Sequence, residues 1–470
     1  MSGAGHAILD AWAATRDRLG SAPAIRDSSN TVARSFADIE SEARAVEGRL
    51  AELPAGSVLA IQLGNSPAWP AVLLAAWRRG LVSMPLGAHV ETAELRTILE
   101  TCRVTAVLSE AGSGLQISAT GIAPVREWPA PVPEFLKLTS GTTARPRGIR
   151  FSVQQLLADC DQICETMGIS DKDLNFGVLP FSHSYGFSNL VLPLLCRGVP
   201  LVATADRFPR AMLLGLQQTG ATVFPGMPVF FEKLAAIESP DPLPSLRLCI
   251  SAGAPLTASV AEEFTRVFGV RIHSFYGSSE CGGISYDRSE APGYEDGGVG
   301  EPMAGVRIER DVPGPRRIAV HSPAVGDGYY PEEDPETLGA GRFIPGDFVE
   351  WRERGMVITG RSTDVINIAG RKLNPGEVEG RIARFPGVRQ VVVFGIPSPI
   401  RGEEPVACVQ GEGIDVAALQ RHCRQVLSAW QIPRDFWLLD EIPTNERGKT
   451  SRRALAEQYK ARMQGGAGPA

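Results

Sequence analysis

The stretch "VRIHSFYGSSE", residues 270–280, changes texture half-way along. A short run with Val270, Ile272 and Phe275 ends in small polar residues and a carboxylate, Glu280. The run has strand length, and the glycine and serines that follow punctuate it as a loop. The same arrangement recurs upstream in "LKLTSGTTARPRG" (136–148), "FGVLPFSHSYGF" (176–187) and "LRLCISAGAPL" (246–256). Helical patterns separate most of the apolar runs. This alternation predicts parallel sheets covered by helices. In open α/β sheets ligands bind beyond the carboxyl ends of the strands, so four such loops in succession predict one shared site.

Outward from that stretch, the first 290 residues read as strand–helix units. "SVLAIQL" (57–63), "LVSMPL" (81–86), "VPLVAT" (199–204) and "ATVFPGM" (221–227) are further apolar runs. Phe36, Ile39, Ala43, Val46 and Leu50 recur at helical spacing, and Ser35 with Asp38 forms a capping-box signature at the helix start. A helix is also expected over 91–102. From about residue 297 short apolar runs alternate with Gly and Pro, which predicts a small β-rich, barrel-like subdomain to about 362. A compact α+β tail follows, with helices from Pro375, over 415–429 and after Lys449. The boundary falls near Thr363, giving an N-terminal domain over 1–362 and a small mobile C-terminal domain over 363–470.

Composition narrows the class. A 470-residue chain with 43% hydrophobic residues supports more than one core. A net charge of −6 argues against nucleic acid, whose phosphates need a positive field. No run of about 18 apolar residues exists to span a membrane, and the N-terminus lacks the apolar stretch of a signal peptide. The 8 cysteines are scattered, with no histidine close by to complete a zinc set, and are expected as buried reduced thiols. These features together predict a cytoplasmic protein.

Several words carry chemistry. "TSGTT" offers Thr139, Ser140, Thr142 and Thr143 hydroxyls, and Gly141 lets amides face an anion. Read alone, it is equally a turn rich in Ser and Thr, because the Walker spacing is absent. Tyr276 offers a flat face for a base, and Glu280 is a hard oxygen ligand suited to Mg²⁺ beside phosphates. Asp347 in "PGDFVEW" (345–351) sits in a tight turn where a carboxylate can accept from two ribose hydroxyls. Lys449 in "NERGKTSRR" (445–453) lies in a loop near the C-terminus.

In order and spacing these words resemble the ANL superfamily of adenylate-forming enzymes, which includes acyl-CoA synthetases and stand-alone adenylation enzymes. The resemblance runs from "LGNSPAWPAVLLAAWRRGLVSMPL" (63–86) through "TSGTT", "PFSHSYGF", "YGSSE", "GYYPEEDPET", "PGDFVEW" and "GRSTDVINIAGRKLNPGEVE" to "RGKTSRRAL" (447–455). It implies ATP-dependent activation of a carboxylic acid to an acyl-adenylate, then transfer to a thiol of coenzyme A or of a carrier-protein phosphopantetheine. It implies that residues 139–148, with Ser140, Gly141, Thr142, Thr143 and Arg147, hold the β- and γ-phosphates. Ser279 and Glu280 would lie at the α-phosphate and Mg²⁺. Gly253 and Ala254, with Tyr276 and Gly277, would frame the adenine. Asp347 would bind the ribose, supported by Arg361. His183 would lie beside the acyl carboxylate, and Lys449 would bridge carboxylate and phosphate. After a domain rotation Gly370, beside Ala369, and Lys372 would line a thiol tunnel.

The chain departs from the pattern at some positions. Ala144 stands for a usual glycine, Arg147 for a lysine, Thr363 for a hinge Asp or Lys, Lys372 for a frequent Arg, and Pro345 and Ser279 for threonines. Glu280, Asp347, Arg361 and Lys449 all remain, so the resemblance implies an active enzyme. Amino-acid-activating relatives carry an aspartate in the segment matching "PFSHSYGF", and none lies there. An aliphatic or aryl acid is therefore expected, since an unpaired buried ammonium is costly. The chain ends soon after Lys449, which favours a stand-alone ligase. Coenzyme A is the expected acceptor. An acyl carrier protein is the alternative, and a catalytically silent acyl- or nucleotide-binding relative is the third reading.

Overall fold

A computed structural model describes residues 6–464, apart from positions 91, 113, 140–145, 291–292, 311, 315, 399 and 444–449. Two large mixed sheets form most of the chain. Five neighbouring pairs in the larger sheet are parallel, linking strands Pro23–Arg26, Leu201–Ala203, Asn175–Gly177, Val223–Gly226, Leu248–Ser251 and Ile272–Ser278. Antiparallel strands extend it at both flanks, from Val32–Ser35 to Asp347–Arg352. The second sheet has seven strands, and Val58–Gln62, Val82–Pro85, Val104–Ala111 and Phe135–Thr139 pair in parallel at its centre. Parallel pairing thus holds the middle of each sheet and gives way at the flanks. The antiparallel partner Arg147–Phe151 was not expected from sequence.

Helices form where the patterning required. Ser35 and Asp38 make the expected reciprocal cap on helix Phe36–Arg49, and Phe36, Ile39, Ala43 and Val46 are buried along it. Ser152 and Gln155 cap helix Val153–Met167 in the same way, and Gly168 ends it in the left-handed region. Helix Trp69–Arg78 is buried at every position from Trp69 to Trp77 and packs against Phe36–Arg49, as expected of a helix that is apolar all round. The expected helices at the C-terminal end are Pro375–Ile382, Val416–Val426 and Arg452–Gln464.

One buried carboxylate aligns three of the parallel strands. Asp173 accepts hydrogen bonds from the Ser170 amide (2.9 Å), the Thr222 hydroxyl (2.9 Å) and both Nε and Nη2 of Arg247 (2.7 Å each). Thr222 and Arg247 immediately precede strands Val223–Gly226 and Leu248–Ser251, and Asp173 precedes Asn175–Gly177. The carboxyl ends of these strands are therefore brought level, and the loops bearing His183 and Gly253 leave the sheet from the same edge.

The region from 297 to 362 is β-rich. Arg307–Glu309, Ala319–His321, Leu338–Gly339 and Arg342–Phe343 make a four-stranded sheet of their own. Gly298–Pro302, Asp347–Arg352 and Gly355–Arg361 instead extend the larger sheet, and Gly328–Tyr330 joins the second sheet beside Arg147–Phe151. The main apolar core runs from Ile8 to Met356. Separate cores begin at Ile366 and lie on the two faces of the C-terminal sheet. All eight cysteines are buried and free. Among the described residues no helix is long and apolar enough to cross a membrane.

Candidate active site

A cleft of 2320 Å³ opens between the large N-terminal part and the C-terminal part. Thr139, His183, Gly253, Ala254, Tyr276, Gly277, Ser279, Asp347 and Arg361 all line it. Residues scattered over more than 200 positions of sequence are thus brought to one cavity. From the other side Glu377, Thr450, Ser451 and Arg452 line the same space.

Asp347 is bonded by two others of these groups. It is 6% exposed. The Tyr276 hydroxyl donates to its Oδ2 at 2.8 Å, and Arg361 Nε donates to its Oδ1 at 2.6 Å. The carboxylate is therefore fixed and retains accepting capacity on both oxygens. Burial and then the charge of Asp347 push the Tyr276 phenol well above its ordinary value, so it stays protonated and donating. The charge of Asp347 raises Arg361 further above its already high value.

The His183 loop is held from behind. Asn65 donates to the carbonyls of Gly177 and Leu179 (2.9 Å each) and Thr204 (2.8 Å), and accepts from the Phe181 amide at 3.1 Å. One side chain thus fastens the strand end on which "PFSHSYGF" begins. Gly186 follows in a tight helical turn, where a methyl group would overlap the Pro180 carbonyl. Ser184 donates to Ser279 at 2.9 Å and ties this loop to "YGSSE". Apolar side chains stand beside His183: Phe187 stacks on Phe135 with centroids 4.4 Å apart, and Tyr185 lies 5.7 Å from Phe275 and donates to the Ile250 carbonyl.

Glu280 and Arg147 do not line the cleft directly. Tyr329 donates to Glu280 Oε1 at 3.2 Å, and the Arg147 guanidinium lies 4.0 Å over the Tyr329 ring. Arg147 begins a strand and pairs with Thr139, so strand pairing joins the two ends of "TSGTTARPR" (139–147). Ser140, Gly141, Thr142, Thr143 and Ala144 lie outside the described residues, as does Lys449. The residues that follow Lys449, Thr450 and Ser451, do line the cleft. Gly370, at φ +84°, and Lys372 lie on an exposed hairpin outside the cleft. The structure does not bring them to the other predicted groups.

Among the described residues no group of three His, Cys, Asp or Glu side chains is placed to hold a metal ion. A lone hard carboxylate such as Glu280 suits a divalent ion that takes most of its ligands from phosphates and water.

The AMP-binding enzyme family model matches residues 11–131 and 123–330, and the AMP-binding enzyme C-terminal domain model matches 377–449. The chain is an AMP-binding enzyme of the ANL superfamily. This AMP-binding enzyme is 27% identical over 485 residues to a naringenin synthase of Pestalotiopsis fici, covering 90% of this chain but 18% of that relative's length. It is 28% identical over 481 residues to a feruloyl-CoA synthase of Amycolatopsis, covering 94% of this chain and 97% of the relative. Its fold matches ATP-bound MatB of Rhodopseudomonas palustris with a TM-score of 0.83 at 25% identity, over 96% and 99% of the two chains.

Sequence reasoning missed some groups that this AMP-binding enzyme builds into its site. Asn65 sits inside a quoted motif, but an asparagine after a strand signals only a turn. Asp159 lies in the middle of a helix far from any motif, yet it accepts from Ser188 just beyond "PFSHSYGF".

Proposed function

We propose that the protein is an ATP-dependent carboxylic acid:thiol ligase that forms an acyl-adenylate and then a thioester, with coenzyme A as acceptor and an aliphatic or aryl acid as substrate. The observation that carries this reading is the convergence of His183, Tyr276, Ser279, Asp347 and Arg361 on one cleft, facing Thr450 and Ser451. The likeness to CoA ligases over nearly the whole chain supports it.

In this reading Asp347, held by Tyr276 and Arg361, accepts both ribose hydroxyls. Gly253 and Ala254 flank the base beside the Tyr276 ring. Thr139 and Arg147 close the neck of the loop that receives the β- and γ-phosphates. Bound magnesium would neutralise phosphate charge, and Glu280 would hold it. His183 orients the acid's carboxylate for in-line attack on the α-phosphorus. Pyrophosphate leaves as the C–O–P bond forms. Lys449 supplies a mobile cation between carboxylate and phosphate, where a preorganised charge is worth about 10²–10³ in rate. The aromatic wall of Phe135, Phe187 and Phe275 favours an apolar acid. Asp159 does not alter this, because its charge is already opposed by Lys137.

Pyrophosphate exchange over a panel of aliphatic, aryl and amino acids tests the reading, followed by thioester detection with coenzyme A or a holo carrier protein. Exchange with an apolar acid and an acyl-CoA product are expected. Exchange with amino acids, or thioester only on the carrier, overturns the corresponding half of the assignment.

A further inference from the structure

In the wall of the cleft, which Lys137 lines and Asp159 backs, lies a buried ion pair whose members come from two different segments of the chain. Lys137 Nζ is 3.8 Å from Asp159 Oδ2, and the two side chains are 4% and 2% exposed. The ammonium also lies 4.5 Å from the centroid of the Phe151 ring and has no hydrogen-bond acceptor among the described residues. Asp159 accepts from the Gly283 amide at 3.0 Å and from the Ser188 hydroxyl at 2.5 Å. Gly282 is pressed against the same carboxylate: it has φ +67°, and a methyl group there would overlap Asp159 Oδ1.

The pair therefore touches three site-bearing segments at once. Lys137 is on strand Phe135–Thr139, which feeds the phosphate loop. Ser188 follows the His183 word, and Gly283 follows Glu280 by three residues. Stability is a weak reason for such a pair, since packed apolar residues of similar volume often serve as well or better. A fixed charge beside a site-bearing loop has a different use. It holds the loop in one register while the opposite face meets an anionic ligand.

We propose that Lys137 is a positioning residue for Glu280. Its ammonium fixes the Asp159 carboxylate, which holds the backbone of Gly282 and Gly283. Glu280 then keeps its place beside Tyr329, and Ser279 keeps its bond to Ser184. The role assigned to Glu280 rests on the proposed ligase function, whereas the anchoring itself does not.

Lys137→Met retains length and volume and removes the charge. In the ligand-free protein, amide exchange in the segment 278–283 is expected to quicken about tenfold, with strand Val58–Gln62 unchanged. In pyrophosphate exchange the Mg²⁺ needed for half-maximal rate is expected to rise about fivefold, with KM for the acid within about twofold. Asp159→Asn keeps an acceptor for Gly283 and removes the countercharge; it is expected to show the same local quickening should Lys137→Met not fold. Unchanged exchange at 278–283, or a uniform rise along the chain, overturns the anchoring. Local quickening with an unaltered Mg²⁺ requirement overturns the link to Glu280. A wild-type protein that exchanges pyrophosphate with no acid would sink the ligase reading and the Glu280 role resting on it, while the amide-exchange result still decides the anchoring.

Discussion

Tyr276 and Asp347, 71 residues apart, meet through a 2.8 Å hydrogen bond from phenol to carboxylate. Arg361 grips the other carboxylate oxygen at 2.6 Å. If Asp347 binds the ribose as proposed, the arrangement separates two contributions to nucleotide binding. Tyr276→Phe removes only the donor that orients Asp347 and leaves the ring in place. A net hydrogen bond of about 1 kcal/mol then predicts a KM for ATP raised about fivefold, with kcat nearly unchanged. Asp347→Ala removes the acceptor itself and leaves Arg361 unpaired; kcat/KM for ATP is expected to fall about 100-fold, two such bonds to a charged group being lost. Pyrophosphate exchange at varied ATP measures both, and a wild-type KM in Asp347→Ala would rule out the ribose role.

The C-terminal part is also held to the large part from outside the motifs. Arg316 bonds Glu377 on helix Pro375–Ile382 and lies 3.1 Å from Glu350 on its own side. Arg316 is 42% exposed, so the pair is worth less than about 1 kcal/mol. Arg316→Ala should therefore slow adenylation about twofold and leave transfer from a supplied acyl-adenylate as fast or faster. A slower transfer step would show that Arg316 does not favour the adenylating orientation.

What the sequence made legible follows from where each group sits. Strand-end words announce themselves, because glycine and hydroxyl residues break an apolar run; His183, Gly253, Tyr276 and Ser279 were all found this way and share one cleft. Supporting groups carry no such punctuation. Asp159 occupies a helix interior, and only the crossing of that helix behind the sheet gives it Ser188, Gly283 and Lys137 as neighbours. Arg147 was read as part of a loop, but strand pairing with Thr139 turns its guanidinium onto Tyr329. That contact depends on strand Gly328–Tyr330 leaving its own region to join the second sheet, which no local pattern encodes.

Asp173 offers a pH test of the strand alignment beneath the site. Burial alone would raise its pKa, but the bonds from Arg247, Ser170 and Thr222 outweigh burial and hold it below the ordinary aspartate value of 3.8. A depressed folded-state value means stabilisation that is present above 3.8 and is lost as pH falls through the folded value. Arg247 is 44% exposed, which discounts the pair. Asp173→Asn should cost about 1–2 kcal/mol at neutral pH and progressively less below pH ~4. Denaturant melts of both proteins across this range give the difference directly. A constant gap down to strongly acid pH would mean the residue acts through packing rather than charge.

The last prediction concerns the two faces of the C-terminal part. Thr450 and Ser451 line the cleft, whereas Gly370 stands on an exposed hairpin away from it. In the proposed mechanism Lys449, next in sequence to that pair, serves the first half-reaction. Gly370 can serve the second only after a rotation brings its hairpin round. Lys449→Ala should therefore lose pyrophosphate exchange about 100-fold or more while still transferring a supplied acyl-adenylate to thiol. Gly370→Leu should do the reverse. On the proposed rotation a side chain there would fill the path of the thiol, and its positive φ of +84° strains any residue with a Cβ. A thermal melt on Gly370→Leu separates that strain from the blocked path, since strain lowers Tm and leaves adenylation intact. Full exchange in Lys449→Ala would remove the lysine from the adenylation step. Equal loss of both half-reactions in either variant would mean that the two faces do not divide the work.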